Sequence, residues 1–388
     1  MAILFVIIFM DLVGFGLLIP LLPFYVQRVG ASPEIITLVL GLYSVGQFVA
    51  APVWGRLSDR FGRKPVLAIT SFGLALSYLM LAFADSLPLL VFSRLFGGVM
   101  AGNIAAAQAY VSDITTPETR ARGMGLLGAA FGLGFIFGPG IGGVLGGQDI
   151  ATANFTAPAL AAAGITFLAA LAVPIFLKES LPPEARTQKA APRLAEKLRA
   201  TFARRTLVVL VVAGFLTITA WALFETVFAL WANAVFAYGP AQIGYVLTLM
   251  GVISVIVQGG AMGRLTKRFG ERNLAVTAAV LLIAGYGMLA LSATTGPMLG
   301  ACAVLAVGSA LFNPAMSSLV SLEAAPHERG AVLGVYQGAT SLSRVAGPAF
   351  SGLAFARLGE AAPFLLAAAL LAPVLVLLAV AIPRSQKP

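Results

Sequence analysis

The chain has 388 residues, of which 59% are hydrophobic and only 10% charged, with a mean hydropathy of +0.95. A soluble domain carries about 25% charged residues, so the composition excludes one and specifies an all-α polytopic membrane protein. The net charge of +10 would suit a nucleic-acid partner, but all except four of the 25 Lys and Arg fall in loops assigned to one side.

Arg28 and Arg357 lie on the other side, and Arg94 and Arg344 lie inside spans. This is the positive-inside asymmetry, so the basic excess is a topology signal. It places both termini in the cytoplasm and the chain in the cytoplasmic (inner) membrane, with no nucleic acid expected. Cys302 is the single cysteine and His327 the single histidine, which leaves no internal disulfide, no metal site and no expected cofactor. Met1 leads almost at once into a span without a basic flank, so no cleavable leader is evident.

At about 20 residues per crossing, the length holds roughly a dozen helices. Spans are expected at 2–26, 34–56, 65–84, 87–112, 121–146 and 156–177, then at 206–236, 241–263, 273–293, 296–320, 330–356 and 362–382. The expected organisation is a six-helix bundle over 1–178, a cytoplasmic linker over 179–205 and a second bundle over 206–388. Within the linker, RLAEKLRATFARR has the pattern of a basic amphipathic helix at the membrane surface, although a plain solvated connector explains it as well.

In the first span Asp11 stands near the bilayer middle, followed by Pro20 and Pro23. A carboxylate at that depth is costly and marks function. By helix rise Arg94 in the fourth span lies roughly 12 Å from the outer end and Asp11 roughly 15 Å from the inner end. In a core of about 30 Å these depths nearly coincide, so the two are expected to interact, as a coupling pair or as a static lock. Between the second and third spans GRLSDRFGRKP, Gly55 to Pro65, sets Arg56, Arg60, Arg63 and Lys64 around Asp59 and reads as a short polar loop. It recurs as GRLTKRFGERN, Gly263 to Asn273, with six of the first ten positions identical. A membrane chain that repeats itself at half its length points to a transporter.

The fourth span continues with Asn103 and Gln108 and ends at Asp113, which reads as a boundary charge. In the loop after it, Arg120 matches Arg329 of the second half. The fifth span carries GxxxGPxxGG, formed by Gly134, Gly138, Pro139, Gly142 and Gly143, where proline is expected to kink a helix that the glycines pack closely. In the seventh, Trp221, Phe224, Glu225 and Phe228 share one helical face, a stripe suited to an organic cation or lipophilic drug. Asn313 in the tenth span and Gln337 in the eleventh add polar groups for a cavity; Arg344 interrupts the eleventh.

Together GRLSDRFGRK, GxxxGPxxGG and the two six-helix halves resemble the major facilitator superfamily, over nearly the whole chain. The first helix, DLVGFGLLIPLLP, is similar to that of the twelve-helix drug/proton antiporters, which include the tetracycline-resistance efflux proteins. The resemblance implies two six-helix bundles around a central cavity that opens alternately to either side. It implies a cytoplasmic gate at Gly55, Asp59, Arg60, Gly62, Arg63 and Arg120, with Lys267 in place of the acid in the second copy. The residues read above assign proton coupling to Asp11, Glu225 and Arg94, and a substrate cavity to Asn103, Gln108, Trp221, Phe224, Phe228, Asn313 and Gln337. Ser77 and Leu282 stand where tetracycline exporters carry further acids, which points to a different or broader substrate range. The leading expectation is proton-driven export of small amphipathic or cationic compounds by a monomer, powered by the proton gradient alone. Transport of a sugar or organic anion is the alternative. A sensor lacks a soluble domain here, and no nucleophile–base pair supports an enzyme.

Overall fold

The computed structural model describes residues 1–181, 201–324 and 328–380. Most of the linker and its amphipathic segment therefore lie outside the described residues, as does the side chain of Arg120. The described residues form two compact units, one of residues 1–181 with 237–251 and the other of 201–236 with 252–380.

The first unit contains α1 (Ala2–Leu18), α2 (Leu22–Arg28), α3 (Pro33–Phe61), α4 (Arg63–Ala82), α5 (Leu87–Met100), α6 (Ile104–Ile114), α7 (Pro117–Gly146) and α8 (Thr156–Phe176). Then come α9 (Arg205–Phe236), α10 (Pro240–Ile256), α11 (Met262–Ala290), α12 (Thr295–Glu323), α13 (Arg329–Leu358) and α14 (Ala362–Val380). Residues 237–251, the chain from the end of α9 into α10, group with the first unit although the sequence assigns them to the second bundle.

Among the described residues, nine helical stretches are long and apolar enough to cross a membrane, or ten with α1 and α2 taken as one. One of them, Pro240–Ala290, runs 51 residues, enough for two crossings of about 20. A short π-helical stretch, Val257–Ala261, separates its halves. With α1–α2 and α5–α6 each read as one bent crossing, the helices are consistent with the twelve expected. Large apolar side chains such as Phe72, Phe83, Leu168 and Ile175 are exposed, as a lipid-facing surface requires.

Two sequence boundaries are corrected. The polar stretch from Gly55 is not a loop: α3 continues through it to Phe61, and the turn consists of Gly62 alone, at φ 105° and ψ 161°. Gly270, the same position of the repeat, also has positive φ, 75°, within α11. Only glycine adopts this backbone freely, so one motif builds one turn twice. The fourth span is also broken, by a 3₁₀ turn at Ala101–Asn103. Gly98 lies so close to α3 that a Cβ would meet the Tyr43 carbonyl. Trp54 donates to the Val99 carbonyl at 2.6 Å and Gln47 to that of Ala101 at 3.2 Å. Side chains of α3 thus satisfy carbonyls at the broken turn, a condition for irregular backbone at membrane depth.

A 45° bend separates α1 from α2, between which Pro20 lacks an amide to continue the ladder. Beyond it Tyr25 donates to the carbonyls of Leu81 and Ala84 at 2.8 and 2.7 Å and stacks on Phe155, anchoring α2 at one end of α4.

Candidate functional site

In the first unit the bend of α1, the break after α5 and the small residues of α4 converge on Asp11. Its carboxyl is 7% exposed and accepts one hydrogen bond, from Ser71 at 2.9 Å. The other oxygen, Oδ1, is buried with no partner, and so is Nδ2 of the adjacent Asn103. Asn103 is the last residue of the 3₁₀ turn after α5. An unsatisfied acceptor beside an unsatisfied donor is a polar gap held open in a buried place.

The expected pairing of Asp11 with Arg94 is not formed. Arg94 is 2% exposed, lies over the rings of Tyr43 at 5.7 Å and Tyr78 at 6.0 Å, and leaves Nε and Nη2 without hydrogen-bond partners. Both tyrosines sit within electrostatic reach of Asp11 as well as of Arg94. Ser77 in α4 is buried and spends its hydroxyl on the Leu74 carbonyl. Gln108 is exposed.

The glycine pattern of α7 forms the wall beside Asp11. A Cβ at Gly134 would meet Leu12, one at Gly138 the backbone of Gly16, and one at Gly142 the Leu17 carbonyl. These three, one turn apart, face α1, whereas Gly143 faces Pro240 and Gly244 of α10. Thr248 donates to the Ile136 carbonyl at 2.9 Å, in the turn before Pro139. Helix α7 nonetheless continues through Pro139 as one element of 30 residues.

At the charged end of this unit Arg63 is the hub. Its guanidinium donates to Asp59 at 2.5 Å, Ser58 at 2.7 Å and Asp113 at 2.9 Å, and its side chain is only 8% exposed. Asp113, read from sequence as a boundary charge, is thus part of the cluster. So is Glu179, which the sequence reading passed over. Its carboxylate accepts from the backbone amides of Arg63, Lys64, Ser180 and Leu181 at 2.8 to 3.1 Å, capping the start of α4. Acids favour helix N-termini, but nothing local in KES, Lys178 to Ser180, names the helix being capped. Arg60 lies outside the hub with its guanidinium over Phe61, and Gly55 faces open space.

In the second unit Glu225 pairs with Arg344 at 3.5 Å, linking α9 and α13. Beside it lies a small hollow lined by Thr217, Trp221, Leu282, Tyr286, Phe312 and Asn313 among others, with room for about one water molecule. Trp221 and Asn313, both expected at a substrate cavity, line this water-sized hollow. Phe224 and Phe228 do not: both are 1% exposed and pack with Tyr286, Trp231 and Phe364 in the core. A helical stripe wide enough to hold four residues turns partly inward, and Phe224 and Phe228 went into the packing. Gln337 is exposed.

The family profile described as Major Facilitator Superfamily matches residues 4–301 and 210–388. The chain belongs to the Major Facilitator Superfamily. It is 32% identical over 361 residues to multidrug resistance protein 2 of Bacillus subtilis (strain 168), covering 90% of this chain and 86% of that one. To the class C tetracycline resistance protein of Escherichia coli it is 31% identical over 350 residues, covering 87% and 85%. Among solved structures it resembles the human organic anion transporter MFSD10 (TETRAN), with TM-score 0.75 at 25% identity over 97% of this chain and 98% of that one. The nucleoside transporter NupG shares the fold with TM-score 0.79 at 15% identity, covering 98% of each chain.

Proposed function

We propose that this superfamily member is a proton-coupled exporter of small amphipathic or cationic compounds that works by alternating access. The relatives named for multidrug and tetracycline resistance, which align over most of the chain, support this class of cargo. The carrying observation is Asp11: a buried carboxyl with one hydrogen-bond donor, one bare oxygen and, among the described residues, no ion pair.

An ionised carboxylate held away from water needs compensation, and Ser71 supplies only part of it. A proton satisfies the group when the site opens to the medium of higher proton concentration, and it leaves when the site opens to the other side, where cargo is taken up. Release of that proton restores a charge that a new proton must neutralise before the next cycle. A membrane potential of about 100 mV contributes about 2.3 kcal/mol for each charge moved, so the gradient supplies the energy and no cofactor enters the cycle. Glu225, already facing a cation, is assigned to the cargo, and Arg94 to tuning the surroundings of Asp11 through Tyr43 and Tyr78. In this reading the Arg63 hub serves the cytoplasmic gate, both termini are assigned to the cytoplasm and the chain to the inner membrane, which the asymmetry of the basic loops supports, and the chain acts as a monomer without nucleic acid.

The test uses everted vesicles carrying an imposed pH gradient. A lipophilic cation is expected to release protons with the unaltered chain and to give background signal with Asp11→Asn. Equal responses from the two would remove Asp11 from coupling. A response to a sugar or an organic anion alone would assign the chain to polar metabolites instead.

A further inference from the structure

We propose that Asn103 is a positioning residue for proton coupling. Its side-chain amide donates to the bare oxygen of Asp11 when that acid is ionised and loses this partner when the proton returns, and the 3₁₀ turn carries the change to α3. The inference rests on the exporter reading, in which Asp11 exchanges the proton, and adds the group that registers the exchange.

The plainer account makes Asn103 a helix cap. It does stand at the N-cap of α6, where asparagine is favoured because its side-chain oxygen accepts from an amide of the first turn. Here the side chain makes no such bond. It is instead 4% exposed, with Nδ2 unpartnered beside Asp11, whose Oδ1 is unpartnered too. A donor and an acceptor, both buried and both uncommitted, thus lie side by side.

Proton chemistry sets when they bond. Ser71 serves Asp11 in both states, because a hydroxyl donates to a carboxylate and accepts from a carboxyl. An amide nitrogen only donates, so it matches the carboxylate and meets an O–H at Oδ1 as donor against donor. Tyr43 on α3 and Tyr78 on α4 are titratable groups within electrostatic reach of Asp11, and Arg94 on α5 lies over their rings. Where α7 and α8 meet α1 near Asp11 they present Gly134, Gly138 and Thr166, none of which titrates. Asn103 is the group placed to answer a change of charge at Oδ1.

The turn cannot absorb that answer alone. A Cβ at Gly102 would strike the Trp54 ring and the backbone of Ala50 and Ala51, and Met100 fills the space over Gly73 of α4. Gln47 and Trp54 hold the carbonyls of Ala101 and Val99. Movement of Asn103 therefore draws on α3. Trp54 lies five residues before Asp59 on that helix, about 7.5 Å by helix rise, and Asp59 pairs with Arg63. A single helix joins the neighbourhood of the carboxyl to the charged end of the unit.

The experiment follows the amide and the indole directly. The full chain, labelled with nitrogen-15 only at asparagine and tryptophan, is placed in lipid nanodiscs with neither cargo nor gradient, and NMR spectra are recorded through a pH titration. Asn103→Leu, Asn103→Ala and Trp54→Phe assign the two signals by their loss. In the unaltered chain the Asn103 amide and the Trp54 indole are expected to shift together with one midpoint; an amide that ignores pH would overturn the proposal. In Asp11→Asn neither signal should shift, and in Asn103→Leu the Trp54 signal should stay fixed, with Asn103→Ala giving the same readout where leucine is not accommodated. In everted vesicles either Asn103 variant should lower maximal substrate-driven proton release about tenfold, the lower end of what a lost hydrogen bond to a charged group costs, and leave KM for a lipophilic cation within about threefold. A Trp54 shift that persists without the Asn103 amide would overturn this inference and leave the exporter reading standing. Shifts that persist in Asp11→Asn would overturn both.

Discussion

In the first unit Asp11 is almost enclosed, takes one hydrogen bond from Ser71 and keeps an oxygen bare. In the second, Glu225 is more open and faces Arg344. Both acids lie on helices that cross the membrane, but enclosure without a cation favours an exchange of protons, whereas openness beside a cation favours an exchange of ligands. The comparison also runs the other way for arginines: Arg63 is a buried hub in the first unit and Arg344 an open single contact in the second. A duplicated chain thus gives similar frames different work.

The largest effect expected is a division of labour between the acids. Asp11→Asn should reduce substrate-driven proton release to background while leaving equilibrium binding within about threefold, under about 0.7 kcal/mol. Glu225→Gln should impair binding of a lipophilic cation first. The same outcome for both acids, in paired flux and binding measurements, would break the comparison.

The arginines come next. Arg63→Ala removes an enclosed guanidinium from the part-buried Asp113 and the buried Ser58, and should lower stability by about 1.5–3 kcal/mol, read by thermal unfolding in detergent. Arg344→Ala, an open pair, should change it by less than about 1 kcal/mol. Losses of similar size would show that exposure does not distinguish these sites.

A smaller contrast concerns glycines of the two matching spans. Gly142→Ala drives a methyl against the Leu17 carbonyl and should destabilise by about 1–3 kcal/mol. Gly334, in the matching helix of the second unit, faces open space, so Gly334→Ala should stabilise by about 0.5–1 kcal/mol through helix propensity. The smallest effect is expected at Ala237, which ends the seventh span at φ 55° where the first span ends at Gly30, φ 82°. Ala237→Gly should relieve a left-handed alanine, an effect largely offset by the freedom glycine loses on folding, and stabilise by under about 0.5 kcal/mol, again by thermal unfolding.

The sequence made the membrane class, the repeat and the crossings legible, because hydrocarbon imposes length and composition on every span. Within spans it located Asp11, Arg94 and Glu225, since a charge at such depth stands out from its neighbours. It could not show which of them meet. Depth suggested Arg94 as the partner of Asp11, but the Arg94 guanidinium lies over Tyr43 and Tyr78 instead. Arg344 was visible as an interruption, yet only the crossing of α9 and α13 makes it the partner of Glu225. The Gly55 stretch read as a loop because its charges exclude hydrocarbon, a criterion blind to a helix that simply extends past the membrane edge. Asn103 was noted as polar; the broken turn that aims it at Asp11 depends on Trp54 and Gln47 in another helix.

Glu179 carries a consequence for biosynthesis. It follows α8 and caps α4, more than a hundred residues earlier, while Ser180 adds a donor to Asp113 at 3.0 Å. A nascent chain arrested at Leu177 would already contain six crossings but leave the amides of Arg63 and Lys64 uncapped. One arrested after Leu181 would supply the missing carboxylate. Emergence of a few polar residues from the ribosome therefore marks when the charged end of the first half can set, before most of the second half has been translated.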